Sequence, residues 1–434
     1  MANLYVSPTG SGDRSGSSWG NAAKITSLNS LIDKAGPGGQ VLLRADQGAY
    51  KVVDPILISN GGDAGRPVVI RGVDGQGREM HATIIGDRSP RFDADNDRGN
   101  ELFKLRDGAD NLKFADMTVR DTGVVFRAGA DLDRITIDDV DAVNVARFFE
   151  NLASGGSDTA TIDRLTIRNV EIAGFSEFAV HLQYDTSMVK IENVHADSKG
   201  QAGDPWIQGI HLDGTVHDVV IRNSSMNNIR SKAGGDKYWN GDGFSTERGV
   251  YDVRFENTVA RGNTDGGYDL KSDGTVLVNA LAADNGRNYR FWGEAELIDS
   301  VGLDPNVRGG LSNQNHVWVA NGAEVRIENS LFRDRDRGTT VFEGKGASVS
   351  FDDVDVYRAA GTKLRHLYDS KLKGLGEIKD NLLSRGSGFG LADDAQGDLG
   401  SVELGLGPVE LGLELFDQPS LEQFIYSAGG EELL

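Results

Sequence analysis

One short pattern recurs ten times in the sequence: an alternating apolar stretch, then Asn or Asp, then a second alternating stretch. Three of the copies read TIRNVEI at 166–172, RFENTVA at 254–260 and RIENSLF at 326–332. We call the central polar residue of each copy its pivot residue. The pivot residues, 20 to 34 residues apart, are Asp116, Asp139, Asn169, Asn193, Asn223, Asn257, Asn279, Asp299, Asn329 and Asp353. Such a period is typical of a solenoid, in which successive turns of chain stack on one another.

Helical periodicity is missing between the pivot residues, so each repeat is a set of short strands and turns. The sequence therefore predicts an all-β fold, a single-stranded right-handed parallel β-helix of about ten or more rungs. Strand alternation points Phe255, Asn257 and Val259 to the same side. We accordingly expect the pivot residues to point inward and to form a buried hydrogen-bonded ladder.

The amino-terminal part differs from the repeats. Residues 27–35 have helical spacing, and they are followed by Gly36-Pro37-Gly38-Gly39 and an apolar stretch at 40–44. A solenoid has to cover its open core. We therefore expect a β-helix domain over 1–385, in which 1–45 supply a capping helix and the first strand.

The carboxyl-terminal part, 386–434, contains no basic residue, and its last 44 residues contain ten acidic ones. Two interpretations remain open: a solvated acidic cap or disordered tail, and an uncleaved export signal of the kind that type I secretion systems recognise. The first residues, MANLYVSPTGSG, lack the basic start and the apolar stretch of a secretory signal. The second interpretation predicts a secreted protein.

Composition excludes several classes of protein. The chain has 45 Lys plus Arg and 66 Asp plus Glu, a net charge of −21, which is the wrong sign for a surface that neutralises phosphates. Without cysteine there is no disulfide, thiolate metal site or thiol nucleophile. No apolar run approaches the ~18 residues of a membrane span. We expect a monomer with neither a nucleic-acid nor a membrane partner.

Chemistry-bearing residues concentrate in 208–294, which contains QGIHLDG, NGDGFSTE, NTDGGYDLK and NGRNYRFWGE. Each segment precedes a pivot residue by a similar distance, so we align them as one strand on four consecutive rungs. One outward column then contains His211, Ser245, Asp269 and Arg290, and a second contains Asp213, Glu247, Lys271 and Trp292. Asp242 and Asp265 lie in the turns just before their strands.

This alignment predicts a calcium site beside a base. Carboxylates of Asp242, Asp265 and Asp269 on adjacent rungs are hard oxygen ligands of the kind calcium prefers, and Arg290 lies one rung further. The same residue types are also typical of ordinary tight turns, and spacing alone leaves both interpretations open. Candidate substrate-binding residues are His211, Asp213, Trp239, Glu247, Arg287 and Trp292.

NGDGF at 240–244, NTDGGYDL at 263–270 and NGRNYRFWG at 285–293 resemble the core motifs of pectate lyases of polysaccharide lyase family nine. The resemblance implies that Asp242, Asp265 and Asp269 correspond to three of that family's four calcium-binding aspartates. Gly266 stands at the position of the fourth. Arg290 stands at the position of the family's catalytic lysine.

The resemblance implies a calcium-dependent lyase that cleaves a uronic-acid-containing polysaccharide, pectate-like or a bacterial exopolysaccharide, by β-elimination. The product carries a 4,5-unsaturated uronate end. Arg290 is the first candidate for the base, and Lys271 is its rival because a guanidinium keeps its proton whereas a lysine can lose one. Arg287, Arg290 and Lys271 supply positive charge for an acidic polysaccharide.

Three alternatives remain. A glycoside hydrolase on the same fold could take its pair of carboxylates from Asp242, Glu247, Asp265 and Asp269, with His181 or His211 as further acid or base. A non-catalytic module could bind polysaccharide without cutting it. A uronate C5-epimerase shares proton abstraction, but the Tyr-Gly-Phe-Asp-Pro-His signature of that family is missing.

Overall fold

The computed structural model describes residues 2–94, 99–231, 238–311, 313–335 and 338–383. These residues form one α-helix, α1 (Leu28–Ala35), three short 3-10 turns (Trp19–Asn21, Ile25–Ser27 and Leu375–Glu377) and 28 strands. The strands are β1 Asn3–Val6, β2 Gln40–Arg44, β3 Tyr50–Lys51, β4 Ile56–Ile58, β5 Val68–Val73, β6 Ala82–Ile85, β7 Glu101–Leu105, β8 Leu112–Ala128, β9 Leu132–Asn151, β10 Ile162–Leu182, β11 Ser187–Asp197, β12 Gln208–Leu212, β13 His217–Asn227, β14 Asp242–Thr246, β15 Tyr251–Arg261, β16 Gly266–Leu270, β17 Asp273–Val278, β18 Leu281–Ala283, β19 Arg287–Phe291, β20 Glu294–Ile298, β21 Val301–Leu303, β22 Asn315–Val319, β23 Glu324–Asp334, β24 Thr340–Lys345, β25 Ser348–Arg358, β26 Lys363–Tyr368, β27 Lys371–Lys373 and β28 Ile378–Leu382.

The strands stack in parallel on three faces of a coil, which confirms the predicted parallel β-helix. Face one lies before the pivot residues and runs from β1 and β2 to β27. Face two lies after them and ends at β28. Face three consists of β4, β7, the last parts of β8, β9 and β10, and then β12, β14, β16, β19, β22, β24 and β26.

The pivot residues form the bend between face one and face two, and their predicted direction is wrong. All ten have a positive φ, between 43° and 57°, and Asn257 is exposed while Phe255 and Thr258 are buried. A left-handed residue interrupts the alternation of a strand, so the side chains after the pivot change sides. The amide ladder exists, but on the surface: Asn257 Nδ2 donates to Asn223 Oδ1 at 3.0 Å, and Asn279 Nδ2 donates to Asn257 Oδ1 at 2.8 Å.

The predicted amino-terminal helix is present as α1, whose Leu28, Leu31, Ile32 and Ala35 are buried in the same core as the strands. The predicted first strand at 40–44 is the second strand, because β1 precedes the helix and pairs with β2. The compact unit that contains the β-helix ends at Leu382. The predicted acidic tail, 386–434, lies outside the described residues.

Large side chains on the inner side of face three pack in a continuous column. Phe103 and Phe126 stack with ring centres 5.2 Å apart, and further along Phe244 stacks on Tyr268 at 5.0 Å and Tyr268 on Tyr289 at 5.3 Å. All five are buried, and burying one such ring contributes about 1.5–3 kcal/mol. Because the inner column is close-packed, it fixes the register of the residues that alternate with it on the outer side.

The turns that lead from face two to face three vary in length. Four residues separate β15 from β16, fourteen separate β13 from β14, and eleven separate β21 from β22. These turns enter the strands of face three and therefore border its outer side. None of the described helices has the length and apolar character needed to cross a bilayer.

Candidate active site

Two columns of side chains cover the outer side of face three. In the first outer column His211 pairs with Ser245, Ser245 with Asp269 and Asp269 with Arg290, which is the column that the sequence predicts. The column continues with Lys104, Arg127, Glu150 and His181 before these residues and with Trp318 and Glu343 after them. A neighbouring outer column, which the sequence alignment does not predict, contains Arg147, Phe178, Gln208 and Asp242. Neighbouring strands lie about 4.8 Å apart, so residues distant in sequence share one surface.

The second predicted column lies where the strands of face three end. Backbone hydrogen bonds join Glu247 N to Leu212 O at 2.8 Å, Lys271 N to Thr246 O at 3.1 Å and Trp292 N to Leu270 O at 2.9 Å. Asp213 bonds to the preceding rung in the same way. The structure therefore places Asp213, Glu247, Lys271 and Trp292 on consecutive rungs, as the alignment predicts.

Arg290 lies between two carboxylates of the preceding rung. Its Nη1 donates to Asp265 Oδ2 at 2.7 Å and to Asp269 Oδ2 at 3.1 Å. Asp265 is 0% exposed, Asp269 6% and Arg290 8%, so the ion pairs are shielded from water. An ion pair in such a place keeps its strength, because solvent screening is weak.

Asp265 has further partners besides Arg290. Arg287 Nη1 donates to Asp265 Oδ1 at 3.1 Å and to the Tyr238 hydroxyl at 3.0 Å. The Tyr238 hydroxyl in turn donates to Asp265 Oδ2. Two guanidiniums and one phenol thus hold a single carboxylate in a fixed orientation.

Asp242 lies at the start of β14 and is 1% exposed. Its Oδ1 accepts a hydrogen bond from Gly266 N at 2.6 Å. Burial raises the pKa of Asp242 well above its usual value, and the neighbouring charges of Asp265 and Asp269 raise it further. Asp242 therefore differs from the other two aspartates, whose carboxylates are held by cations.

Arg290 has a pKa above its ordinary value. Burial acts in the opposite direction, but the charges of Asp269 and Asp265 outweigh it. The guanidinium consequently stays charged, and this opposes a role for Arg290 as a proton acceptor. The same charge suits binding of an anionic group.

The three aspartates, as they are arranged, do not fit a calcium ion. Calcium needs six to eight oxygen ligands, whereas the Asp265 and Asp269 oxygens are engaged by donors of the protein itself. Among the described residues, ligand-type side chains whose donor atoms all lie within 4.8 Å occur as a set of three at His181, His211 and Asp213, and not at the aspartates. The calcium site stays a prediction from sequence.

Gly266, at the position of the missing fourth aspartate, has no room for a side chain. A Cβ atom built on it would lie 2.7 Å from Asp242 Oδ1 and 3.3 Å from Asp269 Cβ. Real Cβ atoms do not approach an oxygen that closely. A side chain at this position would therefore displace the buried Asp242 carboxylate, which glycine leaves in place.

Trp292 connects Asp269 with Lys271. Its indole Nε1 donates to Asp269 Oδ1 at 2.7 Å. The Arg290 Cζ and the Lys271 Nζ lie 5.4 Å and 6.0 Å from the centre of its rings. Lys271 Nζ also forms an ion pair with Glu247, in which both side chains are partly exposed. Arg248 Cζ also lies 6.0 Å from this ring centre, so three cations surround one aromatic side chain.

Trp239, predicted as a substrate-binding residue, packs against Gly309 at the point where two turns meet. A Cβ on Gly309 would lie 2.3 Å from the Trp239 ring, and Gly309 has a φ of +153°. The turn that precedes β14 and the turn that precedes β22 therefore meet at these two residues. The ring is only partly exposed.

His211 and Asp213 lie at the other end of the site, beside His181. The imidazoles of His181 and His211 have centres 4.9 Å apart. Burial lowers the pKa of His181 to about 3 and that of His211 to about 4, so both are neutral at pH 7.

Beyond His181, towards β7, the outer side of face three contains an open cavity of about 700 Å³. Arg127, Arg147, Glu150 and Glu177 are among its lining residues. Arg147 Nη1 donates to Glu150 Oε2 at 2.7 Å, and its Nη2 pairs with Glu177. The polar surface of face three therefore extends at least two rungs beyond the predicted site.

Sequence reasoning missed two contributions to this surface. Tyr238 is a plausible sugar-stacking residue from its type alone, but its hydroxyl holds a carboxylate, and no spacing rule connects it with Asp265. Gln208 accepts a hydrogen bond from Ser245 Oγ. Its strand position in QGIHLDG, three residues before His211, is the only signal that could have identified it.

No protein-family model matches the chain, and no curated protein sequence matches it significantly. Solved structures do resemble it. Pectate lyase Pel9A is 17% identical, with a TM-score of 0.52 over 71% of this chain and 77% of its own. The catalytic domain of a GH87 alpha-1,3-glucanase, in complex with nigerose, is 13% identical, with a TM-score of 0.54 over 78% of this chain and 64% of its own. The GH136 lacto-N-biosidase from Eubacterium ramulus is 12% identical, with a TM-score of 0.52 over 88% of this chain and 68% of its own. These neighbours are right-handed parallel β-helix enzymes, and the chain has their fold.

Proposed function

We propose that this chain is a polysaccharide lyase that cleaves a uronic-acid-containing polysaccharide by β-elimination. The observation that carries the proposal is the placement of Arg290 and Lys271 beside Trp292, at 5.4 Å and 6.0 Å from its ring centre. An aromatic side chain with cations beside it complements a sugar ring that bears a carboxylate. The net charge of −21 does not oppose this, because binding depends on the local charge of the site.

Two comparisons support the substrate class. The motifs at 240–244, 263–270 and 285–293 resemble those of family-nine pectate lyases. The chain also shares its fold with pectate lyase Pel9A. A β-helix offers an elongated polymer a row of stacked side chains along its axis, and face three provides such a row.

In the proposed reaction Arg290 binds the uronate carboxylate and remains charged, since Asp269 and Asp265 hold its pKa up. Neutralising the carboxylate makes the C5 proton more acidic. Lys271 accepts that proton. The C5–H electrons form the C4–C5 double bond, and the C4–O4 bond breaks.

Glu247 completes the proton balance. A sugar that covers the Lys271–Glu247 pair excludes water, and loss of water favours the neutral form of an ion pair, amine plus carboxylic acid. The neutral amine takes the C5 proton, and the carboxylic acid of Glu247 gives its proton to the departing O4. The ion pair seen in the structure is thereby restored.

A direct assay follows the ultraviolet absorbance of the unsaturated uronate on a panel of uronate polymers. We expect Lys271→Ala to lower the rate by about 10²–10⁴-fold, which is the usual contribution of an acid–base group. Lys113→Ala is the matched control, because Lys113 also pairs with a single carboxylate, Asp138, on face one. Normal turnover by Lys271→Ala would remove Lys271 from the mechanism, and no absorbance with any polymer would overturn the lyase proposal.

A glycoside hydrolase is the second candidate, and the state of Asp242 is the observation that favours it. Hydrolysis of a glycosidic bond uses one protonated carboxyl group as the acid and a second carboxylate as the base or nucleophile. Asp242, whose pKa is raised, would be the acid, and Asp265 or Asp269 would be the second carboxylate. New reducing ends without the ultraviolet absorbance would identify this activity. Asp242→Asn would then be inactive, whereas we expect it to retain elimination.

A further inference from the structure

Three metal-ligating side chains converge on face three at the edge of the proposed site. Each of His181, His211 and Asp213 offers one donor atom, and the three atoms all lie within 4.8 Å of one another. His181 and His211 are direct partners across β10 and β12, and Asp213 follows His211 by two residues. We propose that these three residues bind a divalent transition-metal ion of the zinc type.

The hydrogen bonds around His211 select the tautomer that a metal requires. Ser245 Oγ donates to Gln208 Oε1. Because the hydroxyl has only one proton, it must accept from His211 Nδ1, which lies 2.8 Å away. Nδ1 therefore carries the proton, and Nε2 presents its lone pair. In most metal-binding histidines, the ring nitrogen that does not bind the metal donates a hydrogen bond to a polar partner.

His181 supplies an independent observation. Its Nε2 is buried and has no hydrogen-bond partner. A buried polar atom without a partner is unusual and calls for an explanation. The ring itself is held in place by stacking on Phe178, with centres 4.5 Å apart. A metal ion between the imidazoles and Asp213 would account for the free nitrogen.

The donor set indicates the class of metal. Two imidazoles and one carboxylate are typical ligands of zinc and similar ions, whereas calcium prefers oxygen ligands. Ligand atoms around tetrahedral zinc are about 3.3 Å apart, whereas the three donors lie within 4.8 Å of one another. Binding therefore requires them to close in by up to about 1.5 Å.

The site would leave one coordination position open. Three protein ligands with a fourth position for water or substrate are characteristic of catalytic zinc sites. His211 lies two rungs before Asp269 in the first outer column, about 9.6 Å along the stack. The proposal does not depend on the lyase activity, because the ligands belong to the protein alone.

Metal binding can be measured on the full chain without substrate. After chelator treatment and dialysis, we expect one equivalent of Zn²⁺ to bind in calorimetry, and Co²⁺ to give the visible absorption of a tetrahedral site. His211→Ala should weaken Zn²⁺ binding at least about 100-fold. Ser245→Ala, which removes only the partner of Nδ1, should weaken it by about 10–100-fold.

His217→Ala is the control, because His217 lies on face one and stacks on Tyr251. It should bind Zn²⁺ as the unaltered protein does. Circular dichroism establishes that each variant is folded. Absence of stoichiometric binding, or equal affinity in the unaltered protein and in folded His211→Ala, would overturn the proposal whether or not the chain is a lyase.

Discussion

Arg290 Nη1 donates to Asp265 Oδ2 over 2.7 Å, and both side chains are buried. The same nitrogen lies 3.1 Å from Asp269 Oδ2. A guanidinium from one rung thus pairs with two carboxylates from the rung before it. The resemblance to family-nine pectate lyases predicts calcium at these aspartates, whereas the structure places the guanidinium of Arg290 beside two of them.

This ion pair predicts a large effect of removing the guanidinium. Arg290→Met removes the cation that the two buried carboxylates share and leaves Asp265 with Arg287 and Tyr238, and Asp269 with Trp292. We expect a loss of about 3–5 kcal/mol in the free energy of unfolding. Arg290→Lys keeps the charge and should cost less. Denaturant unfolding measures both. In the folded Arg290→Lys variant, elimination should fall by about 10-fold or more because one point charge replaces a fork of donors, and an unchanged rate would exclude Arg290 from substrate binding.

Calcium dependence gives a second prediction. Because donors of the protein occupy the Asp265 and Asp269 carboxylates, we expect elimination to continue after calcium is removed with a calcium-selective chelator. The measurement is the initial rate with chelator, with added calcium and with neither. A rate that vanishes with chelator and returns with calcium would show that the sequence-based prediction of a calcium site is right and that the ion pairs rearrange.

The packing of Gly266 leads to a third prediction. Gly266→Asp restores the family motif but forces a side chain against Asp242 Oδ1, which lies 2.7 Å from the Cβ position. We expect a loss of at least about 2 kcal/mol in unfolding free energy and no gain of calcium binding. Gly376→Ala is the control, since its Cβ position is open, and its stability should be unchanged.

Asp242 gives a prediction about pH. Its pKa is higher in the folded than in the unfolded protein, so its protonated form favours folding below the ordinary carboxyl pKa, and this contribution disappears as the pH rises through the raised pKa. Asp242→Asn, which keeps the oxygen that accepts from Gly266 N, should therefore be more stable than the unaltered protein at neutral pH. The gain should shrink towards pH 4. Unfolding measured at several pH values checks this, and a gain independent of pH would contradict it.

The surface ladder of pivot residues gives a fifth prediction. Asn257 combines a φ of +53° with two amide hydrogen bonds to neighbouring rungs. Asn257→Ala should lose about 1–2 kcal/mol, because alanine is strained at positive φ and the bonds disappear. Asn257→Gly loses the same bonds without the strain and should be less affected. Equal stability of the two variants would mean that the strain contributes nothing.

Much of the fold follows from the sequence because a solenoid is periodic. The spacing of Asp116, Asn169 and the other pivot residues predicts the stacked rungs, and the alignment of four segments predicts the column His211, Ser245, Asp269 and Arg290, which the structure contains. Because equivalent residues of successive rungs stack on one another, residues that align in the sequence also lie side by side in the structure. This is why residues some 80 positions apart could be placed together.

What sequence reasoning could not give is the direction and pairing of individual side chains. The prediction that the pivot residues point inward is wrong, because strand alternation assumes an extended backbone. A single left-handed residue such as Asn257 shifts the alternation. The contacts of Arg290 were unforeseen because they depend on side-chain length and burial. Tyr238 comes from a long turn, whose path no periodic rule describes.

A change in the turns between face two and face three has a different consequence from a change in the stacked strands. The turn before β14 carries Tyr238 and Trp239, and the turn before β22 carries Gly309. Connecting turns tolerate changes of length better than stacked strands do, so residues can be added or removed in such turns at little cost in folding. Insertions or deletions in these turns would therefore reshape the rim of face three, while the charged row on its stacked strands stays in place.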